Sequence, residues 1–260
     1  MNRLRRTLHS AYRSVAGSAR GRAALAGFGV VAAVHLAWQF VDEDELVSSA
    51  SQILLMPALA GVLLAADSER SRLRRLVLVA LGASWLGDSV PRFLAADPGF
   101  LAMVGSFLLA QVAYIVGFLP YREQSAPWTR WRARWPYLAA FVGLVGWCLP
   151  GAGALAPPVI VYGAALTAMA LLAPGVSTTA GVGGAVFMAS DGLIALHAFA
   201  DVTLPVHDFW VMLTYLAGQA LIVAAVIAQR RETPSPITRS RTTSGSESRS
   251  PYNSRIWPIR

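Results

Sequence analysis

Lysine is absent: all 22 basic residues of this 260-residue chain are arginine. Cysteine occurs once, at Cys148, which excludes an internal disulfide framework and a cysteine-based metal site; its apolar surroundings assign it to packing. Charge is scarce, 14% of residues against 55% hydrophobic, and the mean hydropathy is +0.50. A soluble domain needs more polar surface than that, so the chain reads as an integral membrane protein. His-x-x-x-His, Cys-x-x-Cys and Glu-x-x-His pairs are missing, and with them any support for an intramembrane metal site. A Gly-x-Ser-x-Gly elbow and a phosphate-cradling glycine loop are missing as well. The net charge of +8 would suit a nucleic-acid binder. The arginines, however, cluster in short segments between apolar runs, as topology signals do, and no nucleic-acid partner is expected.

What is present is a series of long apolar runs. Residues 1–22 precede them as a basic segment in which Arg3, Arg5, Arg6, Arg13, Arg20 and Arg22 are interspersed with Leu4, Leu8, Tyr12 and Val15, a pattern that predicts an interfacial helix. A cleavable signal peptide is rejected, because the next apolar run is too long for an h-region and ends in Asp42-Glu43-Asp44-Glu45 without a small-residue cleavage site. Eight apolar segments follow, at roughly 23–41, 47–66, 73–95, 99–119, 136–152, 156–173, 178–200 and 207–229, each near the ~20 residues that cross about 30 Å of hydrocarbon. With a cytoplasmic N-terminus, 21 of the 22 arginines fall on the cytoplasmic side and only Arg92 outside. The positive-inside rule then predicts an even number of spans with both termini inside. The expected fold is all-α, a bundle of eight transmembrane helices over residues 23–229, multi-pass in the cell membrane. Residues 230–260, rich in Ser, Thr, Arg and Pro, are expected to form a disordered basic cytoplasmic tail able to touch anionic lipid head groups.

Two carboxylates interrupt this pattern. Asp88, in Leu86-Gly87-Asp88-Ser89, and Asp191, in Ser190-Asp191-Gly192, each lie inside a run suited to the bilayer interior. A charge there costs at least ~2.5–3.5 kcal/mol, so an intramembrane acid is a functional candidate. Each lies about twelve residues, or about 18 Å, into an outward-running helix. The two are therefore expected at one depth, slightly beyond the midplane toward the outer face. The competing account is structural, with each Asp fixing a helix contact through hydrogen bonds.

Other polar groups map to the same depth. Ser84 lies one turn before Asp88 on the same face, and Arg92 one turn after it. Arg92, the one arginine that breaks the topology rule, is expected to pair with Asp88, to bind a lipid phosphate, or simply to snorkel to the outer interface. Gln52, Gln111, Tyr114, Ser190, Tyr215 and Gln219 join the candidate binding set, with interhelical hydrogen bonding as the alternative role for each. His35 is a lone imidazole expected to pack. Leu109-Ala110-Gln111 and Ala217-Gly218-Gln219 follow the two acids by one helix each, an echo that would fit parallel four-helix repeats.

Leu54-Leu55-Met56-Pro57, Leu86-Gly87-Asp88, Ala110-Gln111-Val112-Ala113-Tyr114, Ser190-Asp191 and Leu213-Thr214-Tyr215-Leu216-Ala217-Gly218-Gln219 together resemble the YhhN/lysoplasmalogenase family of multi-pass membrane proteins, over about residues 45–228. The resemblance implies an eight-helix bundle that hydrolyses the vinyl ether bond of a lysophospholipid, lysoplasmalogen, drawn from the membrane lipids. The products are a fatty aldehyde and a glycerophospho-alcohol. The family's two intramembrane acids map onto Asp88 and Asp191, and no metal or organic cofactor is required. Two departures bear on head-group binding: Gln52-Ile53 stands where members commonly carry Lys-Pro, and Gln111 where many carry His. The chemistry suits two acids. Protonating the outer alkene carbon gives an oxocarbenium ion that water traps as a hemiacetal, and two like carboxyls close together in a low dielectric share the single proton this needs.

A transporter or proton-coupled carrier would also bury acids and could carry a repeat. A non-catalytic scaffold would bond both acids to neighbouring helices. A lipid-shaped pocket reaching both acids would favour the hydrolase, a water path to both faces the carrier, and acids capped by Ser or Gln without a cavity the scaffold.

Overall fold

The computed structural model describes residues 2–41, 45–67 and 70–229. Residues 42–44, most of the acidic cluster, and the tail from 230 onward lie outside that set. The described residues form α1 (Asn2–Ala16), α2 (Ala19–Trp38), α3 (Glu45–Ala65), α4 (Arg72–Ser89), α5 (Ala96–Phe118), α6 (Ala126–Thr129), α7 (Trp131–Ala152), α8 (Ala156–Val176), α9 (Thr178–Ala200) and α10 (His207–Ala228), with short 3-10 turns at Val90–Phe93, Leu119–Gln124 and Gly153–Leu155. Among them there is no strand.

Local chemistry sets the helix ends. Ser18, Ser71 and Ser177 cap α2, α4 and α9, each hydroxyl accepting the main-chain N–H three residues on, from Gly21, Arg74 and Ala180, which satisfies an otherwise orphaned donor. The apolar run through residue 95 predicts a longer α4 than the one observed. It stops at Ser89 because Pro91 has no N–H to continue the i→i−4 ladder, although Val90 before it keeps helical angles. The chain tightens into the 3-10 turn that carries Arg92. Conversely, α7 begins at Trp131 rather than near 136, since a helix can start in a polar interface before its apolar stretch begins.

Among the described residues, six segments are long and apolar enough to cross a membrane: 19–38, 47–65, 98–124, 131–176, 178–200 and 207–228. The protein is therefore a multi-pass membrane protein. The 131–176 segment is 46 residues long and contains α7 and α8, which pack on each other across a turn where Gly153 takes a φ of +50°, open to glycine at no steric cost. The remaining long helix, α4, is less apolar because it begins with Arg72, Arg74 and Arg75 and carries Asp88.

In lipid, helices associate through close packing and hydrogen bonds rather than through the hydrophobic effect. One close seam joins α9 and α10: a Cβ on Gly218 would lie 2.8 Å from the Phe187 nitrogen, and one on Gly183 2.9 Å from the Gly218 oxygen. Besides α9, α10 touches α1, α2, α3 and α4. At the other end of the chain, α1 buries Ala11 and Val15, and its Ser14 carbonyl accepts the Asp67 N–H at 3.2 Å. The result is a bundle in which α10 stands beside both acid-bearing helices, α4 and α9.

Candidate active site

Each acid is held by a tyrosine from another helix. Asp88 Oδ2 accepts the Tyr215 hydroxyl of α10 at 2.9 Å, and Asp191 Oδ2 accepts the Tyr162 hydroxyl of α8 at 2.5 Å. The Tyr215 ring is itself fixed, with Phe107 at 5.8 Å edge-on and Phe187 at 5.7 Å. Both carboxyls are buried and line one cavity of about 350 Å3. The cavity rises past Gln52 to Gln39, Ser48, Arg92 and Asp208, residues at or near the same ends of α2, α3, α4 and α10. Its floor is acidic and its rim carries the Arg92 guanidinium.

Asp191 also faces a second space. A narrow apolar slot between α5, α7, α8 and α9 is lined by Leu101, Val104, Leu144, Cys148, Val159 and Leu166 among others. Asp191, Met103, Phe107 and Ile194 line both spaces. A polar chamber and a hydrocarbon slot therefore share a wall, and a carboxyl stands in it.

Arg92 is positioned by local geometry. Its Nε donates to the Asp88 main-chain oxygen at 3.3 Å, while its two terminal nitrogens donate to Ser49 Oγ and Gln52 Oε1. The expected pairing with the Asp88 carboxylate is replaced by a bond to its backbone, because the 3-10 turn after Ser89 directs the guanidinium toward α3. Gln52 lines the cavity beside Asp88 and accepts from Arg92.

The remaining candidates separate into two groups. Ser190 and Tyr215 line the cavity, and the Ser190 hydroxyl also donates to the Val211 carbonyl at 2.9 Å, tying α9 to α10. Ser84, Tyr114 and Gln219 are fully buried and form a chain across α4, α5 and α10: Gln219 accepts from Tyr114 and donates to Ser84 Oγ at 3.2 Å. They do not line the cavity. Gln111 approaches Tyr162 without reaching hydrogen-bond distance, and both of its buried amide atoms are unpartnered.

The sequence model of the YhhN family matches residues 47–226. The chain belongs to the YhhN family. Curated relatives include the lysoplasmalogenases of Mycobacterium bovis (strain ATCC BAA-935 / AF2122/97) and Mycobacterium tuberculosis (strain CDC 1551 / Oshkosh), each 36% identical over 190 residues, or 66% of this chain and 70% of the relative. No solved structure matches the chain. All ten site candidates fall inside the YhhN segment.

Within this YhhN bundle, sequence reasoning missed Tyr162, Ser49, Gln39 and Asp208. Tyr162 is a lone tyrosine in an apolar helix, and nothing in its neighbours separates it from a packing residue. Gln39 has a traceable cause. The Ser51 hydroxyl donates to the Ser48 carbonyl at 3.0 Å, so it accepts from His35 Nδ1–H at 2.9 Å. His35 Nε2 is then the acceptor for the Gln39 amide at 3.2 Å. The buried imidazole thus holds a side chain at the cavity rim.

Proposed function

We propose that this protein is a lysoplasmalogenase-like hydrolase of the cell membrane, cleaving the vinyl ether bond of a lysophospholipid by acid/base chemistry at Asp88 and Asp191. The observation that carries the reading is the polar chamber and apolar slot meeting at Asp191. A lysoplasmalogen has the same division, a glycerophospho head and a hydrocarbon chain with the scissile bond at the junction. In this reading Arg92, supported by Gln52 and Ser49, takes the phosphate by charge-assisted hydrogen bonds, and the chain lies in the slot. Water reaches the bond from the polar side. Names borne by relatives support the reaction class.

The proposal extends to topology: eight spans within residues 23–229, with both termini and the arginine-rich turns cytoplasmic and the acid chamber opening outward. Contacts of α1 with the α3–α4 connection support placing two of the basic clusters on one side.

The test is aldehyde release from ethanolamine and choline lysoplasmalogens by purified protein, comparing wild type with Asp88→Asn and Asp191→Asn. A positioned acid or base contributes about 10²–10⁴-fold, and each variant is expected to lose about that much while still eluting as folded protein. Absence of aldehyde from wild type with both substrates would remove the reading and return the acids to a carrier or a purely structural role.

A further inference from the structure

We infer that the two aspartates have fixed and different roles: Asp191 delivers the proton to carbon, and Asp88 receives the proton of the attacking water. This deepens the reading above and rests on it. The proton must reach the outer alkene carbon, the one bonded to the hydrocarbon chain. Water must add to the inner carbon, the one bonded to the glycerol oxygen. The structure distinguishes these two ends. Asp191 lines both the apolar slot and the polar chamber, whereas Asp88 lines the polar chamber alone. Asp88 shares its part of the chamber with Gln52 and Arg92, the groups that hold the head. A substrate whose chain lies in the slot and whose phosphate meets Arg92 presents its outer alkene carbon to Asp191 and its ether end to Asp88.

The tyrosines support the division. Tyr162 lines the apolar slot and donates to Asp191 Oδ2, which leaves Oδ1 to carry the transferable proton. Tyr162 is thus a positioning residue for the acid. Tyr215, on Asp88 Oδ2, does the same for the base.

The cycle balances. The O–H bond of Asp191 breaks as the alkene π pair forms the new C–H bond, and an ether-oxygen lone pair makes the oxocarbenium ion. Water adds to the inner carbon and gives its proton to the Asp88 carboxylate. In the collapse of the hemiacetal, its hydroxyl proton passes to Asp191 and the carbon–oxygen bond to glycerol breaks. The departing oxygen takes the proton from Asp88. Both carboxyls return to their starting states, and the net reaction is addition of one water.

The experiment is turnover of lysoplasmalogen in D2O by wild type, Asp88→Asn and Asp191→Asn, with and without sodium azide as an added nucleophile, read by mass spectrometry. Wild type should release aldehyde carrying one deuterium on the carbon next to the carbonyl; no aldehyde would overturn the underlying hydrolase reading as well. Asp88→Asn keeps proton delivery, so azide should restore substrate consumption by adding to the oxocarbenium carbon, giving a deuterated azido ether. Asp191→Asn should give neither aldehyde nor azido ether, with a loss of about 10²–10⁴-fold that azide does not relieve. The reverse pattern, or azide rescue of both variants, would overturn the assignment while leaving the hydrolase reading intact. Tyr162→Phe and Tyr215→Phe retain both carboxyls and provide an independent measure. The solvent isotope effect on kcat should rise above wild type in Tyr162→Phe only, and an equal rise in both would overturn the assignment.

Discussion

At the scale of single residues, the structure separates polar groups that face the cavity from those that tie helices together. Arg92 belongs to the first group, with its guanidinium at the rim and its hydrogen bonds to Asp88, Ser49 and Gln52. If it binds the substrate phosphate, a charge-assisted hydrogen bond of about 1.5–3 kcal/mol is at stake, roughly 10- to 100-fold in affinity. Arg92→Ala should raise KM by that factor with kcat nearly constant, because the interaction is the same in ground and transition states. Initial-rate kinetics decide it: a fall in kcat at unchanged KM would place Arg92 in the chemistry instead. The acids were legible in the sequence because a charge in an apolar run is costly and therefore conspicuous. Tyr162 was not, because a phenol in lipid has many uses and only its 2.5 Å contact with Asp191 selects one. Nor could sequence divide the glutamines, since Gln52 at the rim and Gln219 in the sealed Tyr114–Ser84 chain differ in the direction they face and not in residue type.

At the scale of elements, hydropathy located the long helices but not their ends. Pro91 shortens α4, and α7 extends past its apolar stretch into the arginine-rich turn. Hydropathy also could not reveal which helices touch: α10 brings Tyr215 to Asp88 from 127 positions away in the chain, a relation set by packing. The placement of α10 against α9 depends in turn on two glycines. Gly218→Ala places a methyl 2.8 Å from the Phe187 nitrogen, and the helices must separate. Overpacking of this kind costs about 1–3 kcal/mol, and the separation should also move Tyr215 relative to Asp191. Gly105→Ala is the matched control, since a Cβ there meets nothing within 4 Å and alanine is favoured over glycine in a helix by about 0.5–1 kcal/mol. Thermal unfolding in detergent should fall for Gly218→Ala and hold or rise for Gly105→Ala. Equal shifts in the two variants would mean that the seam is not the constraint.

At the scale of the whole molecule, the number of crossings turns on α4, whose arginines and Asp88 lower its hydropathy. If it does not, and residues 131–176 cross once, the turn between α5 and α7 lies outside. Packing argues for eight crossings. A Cβ on Gly117, near the end of α5, would lie 3.2 Å from Leu73 at the start of α4, so the two helices run antiparallel and share an end. Ser125 Oγ donates to the Leu171 carbonyl at 2.5 Å, so the turn after α5 and the end of α8 lie on one side, with the 153–155 turn between them on the other. Thr129 is therefore the deciding position. In a Cys148→Ala background, which removes the one native thiol, single cysteines at Ser71, Thr129, Ala154 and Thr203 can be probed with a membrane-impermeant maleimide. Eight crossings predict labelling of Ala154→Cys and Thr203→Cys on intact cells, and of Ser71→Cys and Thr129→Cys only after permeabilisation. Labelling of Thr129→Cys on intact cells would place the turn outside and take α4 out of the bilayer. The same result would remove the shared bilayer depth expected of Asp88 and Asp191, which requires both helices to cross in the same direction.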